Sequence, residues 1–158
     1  HLAGVIERCL GKQIAHLPGA GAAGGMGGGM VAFLGSTLQM GIEVVLNTVQ
    51  FDHAIQGASL ILTGEGKFDS QSLGGKVVIG VARRAKKQSI PVVAVVGDIG
   101  DTGSAAYDEG VSAIFSINTL AIPFAQAKGR CREDLALTMD NLMRFWVTAS
   151  QKGCAPQA

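Results

Sequence analysis

The chain has 158 residues, 47% hydrophobic and 16% charged, a composition that suits a compact core and excludes disorder. Its formal charge of +1 and 5% aromatic content provide neither a basic footprint nor a stacking platform for nucleic acid. No apolar run reaches the length of a membrane span, no secretory leader pattern opens the chain, and Cys9, Cys131 and Cys154 lack metal-ligand spacing. The expectation is a cytoplasmic protein with neither nucleic acid nor membrane as partner.

Leu2 to Leu10 reads as a helix with Val5, Ile6, Cys9 and Leu10 on its apolar face and Gly11 at its end. A chain that is helical from His1 onward reads as a fragment or a processed chain. The glycine-rich segment Pro18 to Gly29 runs into Met30-Val-Ala-Phe-Leu34, which predicts a helix from about Gly24 to Gln39 with its first turns pressed against a neighbour. Ile42 to Val49 and Phe51 to Ile55 read as a helical pair, with strand left open by Val44-Val45.

From residue 59 the rhythm becomes strand, helix, strand. Leu60 to Leu62 is a strand, and Leu73, Val77, Val78, Val81, Ala82 and Ala85 share one helical face that ends in the solvated basic cluster Arg83 to Lys87. Pro91 to Val96 suits a strand buried on both faces. A short helix over Ser104 to Glu109, a strand over Val111 to Ile117 and a last helix with Leu135, Met139, Leu142, Met143, Trp146 and Ala149 on one stripe complete the pattern, and the tail after Gln151 frays. This is an α/β chain with a parallel sheet and right-handed βαβ crossovers. Loops 63–70, 97–102 and 118–123 would gather at the carboxyl ends of its strands, where open sheets bind ligands.

Three motifs bear on chemistry. Gly19-Ala-Gly-Ala-Ala-Gly24 matches a dinucleotide fingerprint, with Glu43 near the ribose-ligand distance, and keeps an NAD-dependent oxidoreductase as an alternative. Its context is wrong, because only Gln13 to Leu17 precedes it and Pro18 interrupts where a strand should enter the turn. Neither Gly66-Lys67-Phe68 nor Gly75-Lys76-Val77 completes a P-loop.

The third is Thr63-Gly-Glu-Gly-Lys-Phe-Asp-Ser-Gln-Ser-Leu-Gly-Gly-Lys76, which reads as an unconventional polyanion site. Lys67 and Lys76 would neutralise phosphate, and the N–H groups of Gly64, Gly66, Gly74 and Gly75 would cradle it. Asp69 reads either as a Mg²⁺ ligand or proton acceptor or as a helix N-cap, with Ser70 and Ser72 as rival caps. Asp98 reads either as a second Mg²⁺ ligand or as an Asx-turn, and Asp101 as a turn residue. His16 and His53 have no partner pattern and read as satisfied polar residues.

Pro18-Gly-Ala-Gly-Ala-Ala-Gly-Gly-Met-Gly27, Gly41-Ile-Glu43, the 63–76 motif and Ile79-Gly-Val-Ala82 together resemble the bacterial glycerate kinase family. The resemblance implies phosphoryl transfer from ATP to D-glycerate, chiefly to 2-phosphoglycerate, with Mg²⁺ as the metal. It implies a flavodoxin-like domain built from both ends of a longer chain, with a second α/β domain inserted. Residues 1–44 would be the last piece of the inserted domain and 45–158 the C-terminal part of the flavodoxin-like domain. The N-terminal half would then be a missing partner, with a homo-oligomer as another cover for exposed surface. The roles carried over are Asp69 and Lys76 in catalysis, Gly64, Glu65, Gly66, Lys67, Ser70, Ser72, Gly74 and Gly75 at ATP, Gly21, Gly24 and Gly25 at glycerate, and Asp69 and Asp98 at Mg²⁺. A non-catalytic flavodoxin-like binding module is the other alternative.

Overall fold

A computed structural model describes residues 1–100 and 104–152. Asp101 of the 97–102 loop, the tail beyond 152 and Cys154 lie outside the described residues. The chain divides into two compact units, His1–Val44 and Val45–Ala158.

In the first unit, α1 (Leu2–Leu10) stops at Gly11, whose N–H donates to the Glu7 carbonyl at 2.9 Å. α2 (Ala22–Leu34) stops five residues before the predicted end at Gln39, because Gly35 takes a left-handed φ of 64° and turns the chain out. Its first turn is also irregular, with Ala23, Gly24 and Gly25 outside helical geometry. Ile6, Ile14 and Ala32 form the core of this unit. Within the glycine run Gly27 serves packing inside the unit: a Cβ there would stand 2.6 Å from the Gly19 carbonyl oxygen, so only glycine lets that turn lie on the helix.

The boundary between the units falls inside α3 (Gly41–Thr48), which is helical despite Val44-Val45. After α4 (Phe51–Ala54) come β1 (Ile61–Phe68), α5 (Ser70–Leu73), α6 (Val77–Lys86), β2 (Val92–Ile99), α7 (Ala105–Asp108), β3 (Val111–Ser116) and α8 (Phe124–Lys152). The three strands form one parallel sheet in the order β1-β2-β3, with helices between them, as α/β rhythm requires.

β2 supplies the centre of the core. Side chains alternate across a strand, so Val93 and Val95 face one side and Val92, Ala94 and Val96 the other, and all five are buried. Leu142 and Met139 of α8 pack on Val93 and Val95. α6 contacts all three strands and brings the buried Val78, Ile79, Ala82 and Ala85.

Two boundaries differ from the sequence reading in a way that matters. β1 continues through Thr63 to Phe68 and β2 through Ile99, although the apolar runs end at Leu62 and Val96. Pairing holds these polar, glycine-rich stretches extended: Lys67 is in register with Asp98 and Phe68 with Ile99. The single predicted helix over 73–85 is broken at Gly74-Gly75 into α5 and α6.

The basic cluster is also more than a solvated helix end. Arg84 forks onto both oxygens of Asp52 at 2.7 and 2.8 Å and reaches Asn47 Oδ1 at 2.8 Å, tying α6 to the 47–52 region. The hydrogen bond from Arg84 holds the Asp52 carboxyl below its usual value.

A Cβ on Gly64 would collide with the Val95 carbonyl, whereas one on Gly66 would meet open space. Gly64→Ala is therefore expected to cost about 1–3 kcal/mol through strand separation, and Gly66→Ala to be neutral or slightly stabilising. Denaturant midpoints of the two variants check this; equal effects would contradict the close approach.

Candidate functional site

The carboxyl ends of β1 and β2, the segment after β3 and the first half of α8 enclose a cleft of about 1100 Å³. Leu62 to Lys67 form one wall and Val95 to Asp98 the floor, with Ile117 and Asn118 beyond them. Ala127, Lys128, Cys131, Asp134, Leu135 and Met139 of α8 form the facing wall. Sequence spacing brought Gly64, Glu65, Gly66, Lys67 and Asp98 into one candidate site, and the fold places all five on this cleft.

The cleft is polar at the strand ends. Lys67 Nζ stands 3.9 Å from Asp98 Oδ2, with the two side chains 59% and 57% exposed. Such a pair adds little to stability, so both groups are available to a ligand. Asp98 Oδ1 also accepts the N–H of Ile99 at 3.0 Å, which leaves Oδ2 directed at Lys67.

Asp69 follows β1 directly and is the N-cap of α5. Its Oδ1 accepts the Gln71 N–H at 3.0 Å, and its own N–H donates to Ser72 Oγ at 3.2 Å, a reciprocal capping box. The 97–100 stretch lies against it: Gly100 N–H donates to the Phe68 carbonyl at 2.7 Å, and a Cβ on Gly100 would be 3.2 Å from that of Asp69.

The other expected residues are placed differently. Ser72 is fully buried; its hydroxyl donates to Glu65 Oε1, and the Lys67 carbonyl is 3.4 Å away. It is not presented to the cleft. Ser70 is exposed on the first turn of α5, and Gly74 and Gly75 make the break between α5 and α6. Lys76 is the exposed N-cap residue of α6, with Nζ 3.4 Å from Gln71 Oε1. None of these four lines the cleft. Gly21, Gly24 and Gly25 belong to the first unit, Gly21 as the N-cap of α2 and the other two in its irregular first turn.

Sequence reasoning missed the α8 wall. Asp134 is buried there, bound by Arg130 Nη2 at 3.1 Å, and its carbonyl accepts from Thr138 Oγ1 at 2.8 Å. A signal was available, because Lys128 and Cys131 continue at helical spacing the stripe that carries Leu135 and Met139, but their polarity hides that extension toward the cleft.

Among the described residues no three carboxylate, histidine or cysteine side chains gather to hold a metal ion. Mg²⁺ carried by a nucleotide needs only one or two carboxylates beside phosphate oxygens and water. The exposed Asp98 carboxylate on the cleft fits that sparse form, whereas Asp69, the cap of α5, is not among the cleft-lining residues.

The model of the glycerate kinase family matches residues 1–147. The chain belongs to the glycerate kinase family. A glycerate kinase from Bacillus cereus is 41% identical over 96% of this chain and 40% of its own length. A glycerate 2-kinase from Escherichia coli is 44% identical over 75% of this chain and 31% of its own. A crystal structure described as a glycerate kinase 2 from Salmonella typhimurium superposes with a TM-score of 0.69 at 34% identity, covering 95% of this chain and 38% of that one. The chain thus spans well under half the length of the relatives it matches. No helix among the described residues is long and apolar enough to cross a membrane.

The capping geometry has a measurable consequence. Asp69→Ala should lower stability by about 1 kcal/mol, whereas Asp69→Asn, which keeps the accepting oxygen, should stay within a few tenths. Denaturant melts of both variants test this, and equal losses would mean that the cap does not hold α5.

Proposed function

We propose that a full-length protein carrying this chain transfers a phosphoryl group from ATP to D-glycerate, giving 2-phosphoglycerate, and that the cleft at the ends of β1 and β2 receives the nucleotide phosphates. The observation that supports this most is the exposed Lys67–Asp98 pair at the polar end of the cleft, in a chain of the glycerate kinase family. Phosphoryl transfer depends on positioning and charge neutralisation more than on covalent chemistry. Lys67 would neutralise phosphate oxygens, and the strand backbone at Gly64 and Gly66 would lie alongside them. Glu65 would orient the nucleotide from the same wall.

Asp98, with Asp69, would hold the Mg²⁺ that ATP brings, and that ion would supply charge stabilisation to the phosphate oxygens. Where Asp98 alone holds the ion, the carboxylate oxygen that the cap bond of Asp69 leaves over would instead take the proton of the attacking hydroxyl. Lys76, with Ser70, Gly74 and Gly75, stays a candidate for a second phosphate contact at the start of α6. Gly21, Gly24 and Gly25 stay candidates for the carboxylate of glycerate. In this reading residues 1–44 derive from an inserted domain, residues 45–158 from a flavodoxin-like one, and the remaining length of the family fold completes the enzyme in the cytoplasm.

The NAD-dependent reading has lost its structural support. The stretch before Gly19 is turn and irregular backbone with no strand, and a dinucleotide fingerprint needs a strand running into the turn.

The test is ADP formation by the full-length protein with ATP, Mg²⁺ and D-glycerate, with the product identified by phosphorus NMR. Glycerate-dependent ADP release and a 2-phosphate ester are expected; no phosphorylated glycerate would overturn the proposal. Lys67→Ala should lower kcat/KM by about 100-fold, because a removed charge contact at the transferring group costs on that order. Its melting temperature should hardly move, since the exposed pair contributes little to stability. Unchanged kinetics in Lys67→Ala together with a defect in Lys76→Ala would move the role to Lys76.

A further inference from the structure

We propose that Ser72 is a positioning residue: its buried hydroxyl holds the Glu65 carboxylate at the wall of the cleft and couples it to the cap of α5. The proposal rests on the reading of that cleft as the ATP site.

A serine hydroxyl has one proton to donate and two lone pairs to accept with. At Ser72 one lone pair takes the Asp69 N–H at 3.2 Å, and this alone would complete the capping box. The proton then has two candidate acceptors, Glu65 Oε1 and the Lys67 carbonyl at 3.4 Å. The carboxylate is the stronger acceptor. A serine serving only as a cap would have no need of Glu65, because a backbone carbonyl is within reach.

Glu65 depends on the contact in turn. Its side chain is half-buried on the cleft, and among the described residues no other hydrogen bond or ion pair reaches its carboxylate. A long side chain with a single tether loses its placement when the tether goes, because its rotamer freedom is returned to it. Ser72 itself has no freedom of that kind, being fully buried at the third position of α5. The hydroxyl therefore fixes a cleft carboxylate from behind the wall, and the placement of Glu65 is linked to the formation of α5.

Steady-state kinetics of the full-length protein with MgATP and D-glycerate test this on Ser72→Ala, Glu65→Gln and the double variant. Glu65→Gln should raise KM for ATP by more than tenfold. Ser72→Ala should raise it about tenfold with kcat changed less than twofold, and should lower the melting temperature through the lost cap bond. Ser72→Thr keeps the hydroxyl and should recover most of the KM. In the Glu65→Gln background, Ser72→Ala should add less than twofold, since contacting groups are not additive. Should Ser72→Ala not fold at the assay temperature, Ser72→Cys, of similar size and a weak donor, replaces it with the same expectation. Parent KM in Ser72→Ala beside a clear Glu65→Gln defect, or full additivity in the double variant, would overturn the role of Ser72. Parent kinetics in Glu65→Gln would instead overturn the use of Glu65 in the ATP-site reading.

Discussion

The pairing of β1 with β2 beyond their apolar halves is the constraint on which the site depends. Up to Val96 the pairing is anchored by the burial of β2, which is covered on both faces. Past that point Gly66, Lys67, Gly97 and Asp98 bring no apolar burial of their own and are held extended by the ladder, which ends on the buried Phe68 paired with Ile99. The ladder can close because Gly64 and Gly97 have no Cβ: at either position a methyl group would run into the backbone of the opposite strand. Close approach here puts Lys67 opposite Asp98 and sets Asp69 against Gly100. The glycines of the motif thus act first on the neighbouring strand. Gly66, with open space above it, is the one whose bareness faces the cleft.

Beyond the ladder, polar groups are satisfied locally and economically. Asp69 and Ser72 cap each other, and Ser72 still reaches back to Glu65. A capping box more often closes with a Glu or Gln at its third helical position. A serine there is too short to stand clear of the backbone, which explains why the turn is tight and the hydroxyl buried. The charged pair at the cleft is different in kind, because Lys67 and Asp98 are both more than half exposed and meet at 3.9 Å. An arrangement of that sort stabilises little, and a ligand can replace either partner at small cost. Rigid capping behind the wall and loosely held charges on its face are what a binding site for a charged ligand requires.

The βαβ rhythm, the three strands and their parallel order were legible because buried strands read as apolar runs and α6 keeps a clean helical face. The outer halves of β1 and β2 were not, since Gly64-Glu-Gly-Lys67 is poor in strand-forming residues and long-range pairing decides its shape. The burial of Ser72 was hidden as well, because a serine among glycines and glutamine reads as surface. For Asp69 the sequence left cap and catalyst open, and the structure shows the cap bonds without removing the second carboxylate oxygen from use. α2 was placed correctly but ended too late, as Gly35 is one glycine among many and nothing local marks it as the stop. Arg84 was read as solvated because Asp52, its partner, lies 32 positions away.

The central claim is that the nucleotide phosphates lie at the strand ends between Lys67 and Asp98. A crystal structure of the full-length protein with Mg²⁺ and a non-hydrolysable ATP analogue tests it most directly. The account predicts phosphate oxygens within hydrogen-bond distance of Lys67 Nζ and the metal beside the Asp98 carboxylate. Phosphates bound at the Gly19–Gly24 turn, or anywhere that leaves the cleft of β1, β2 and α8 empty, would contradict it.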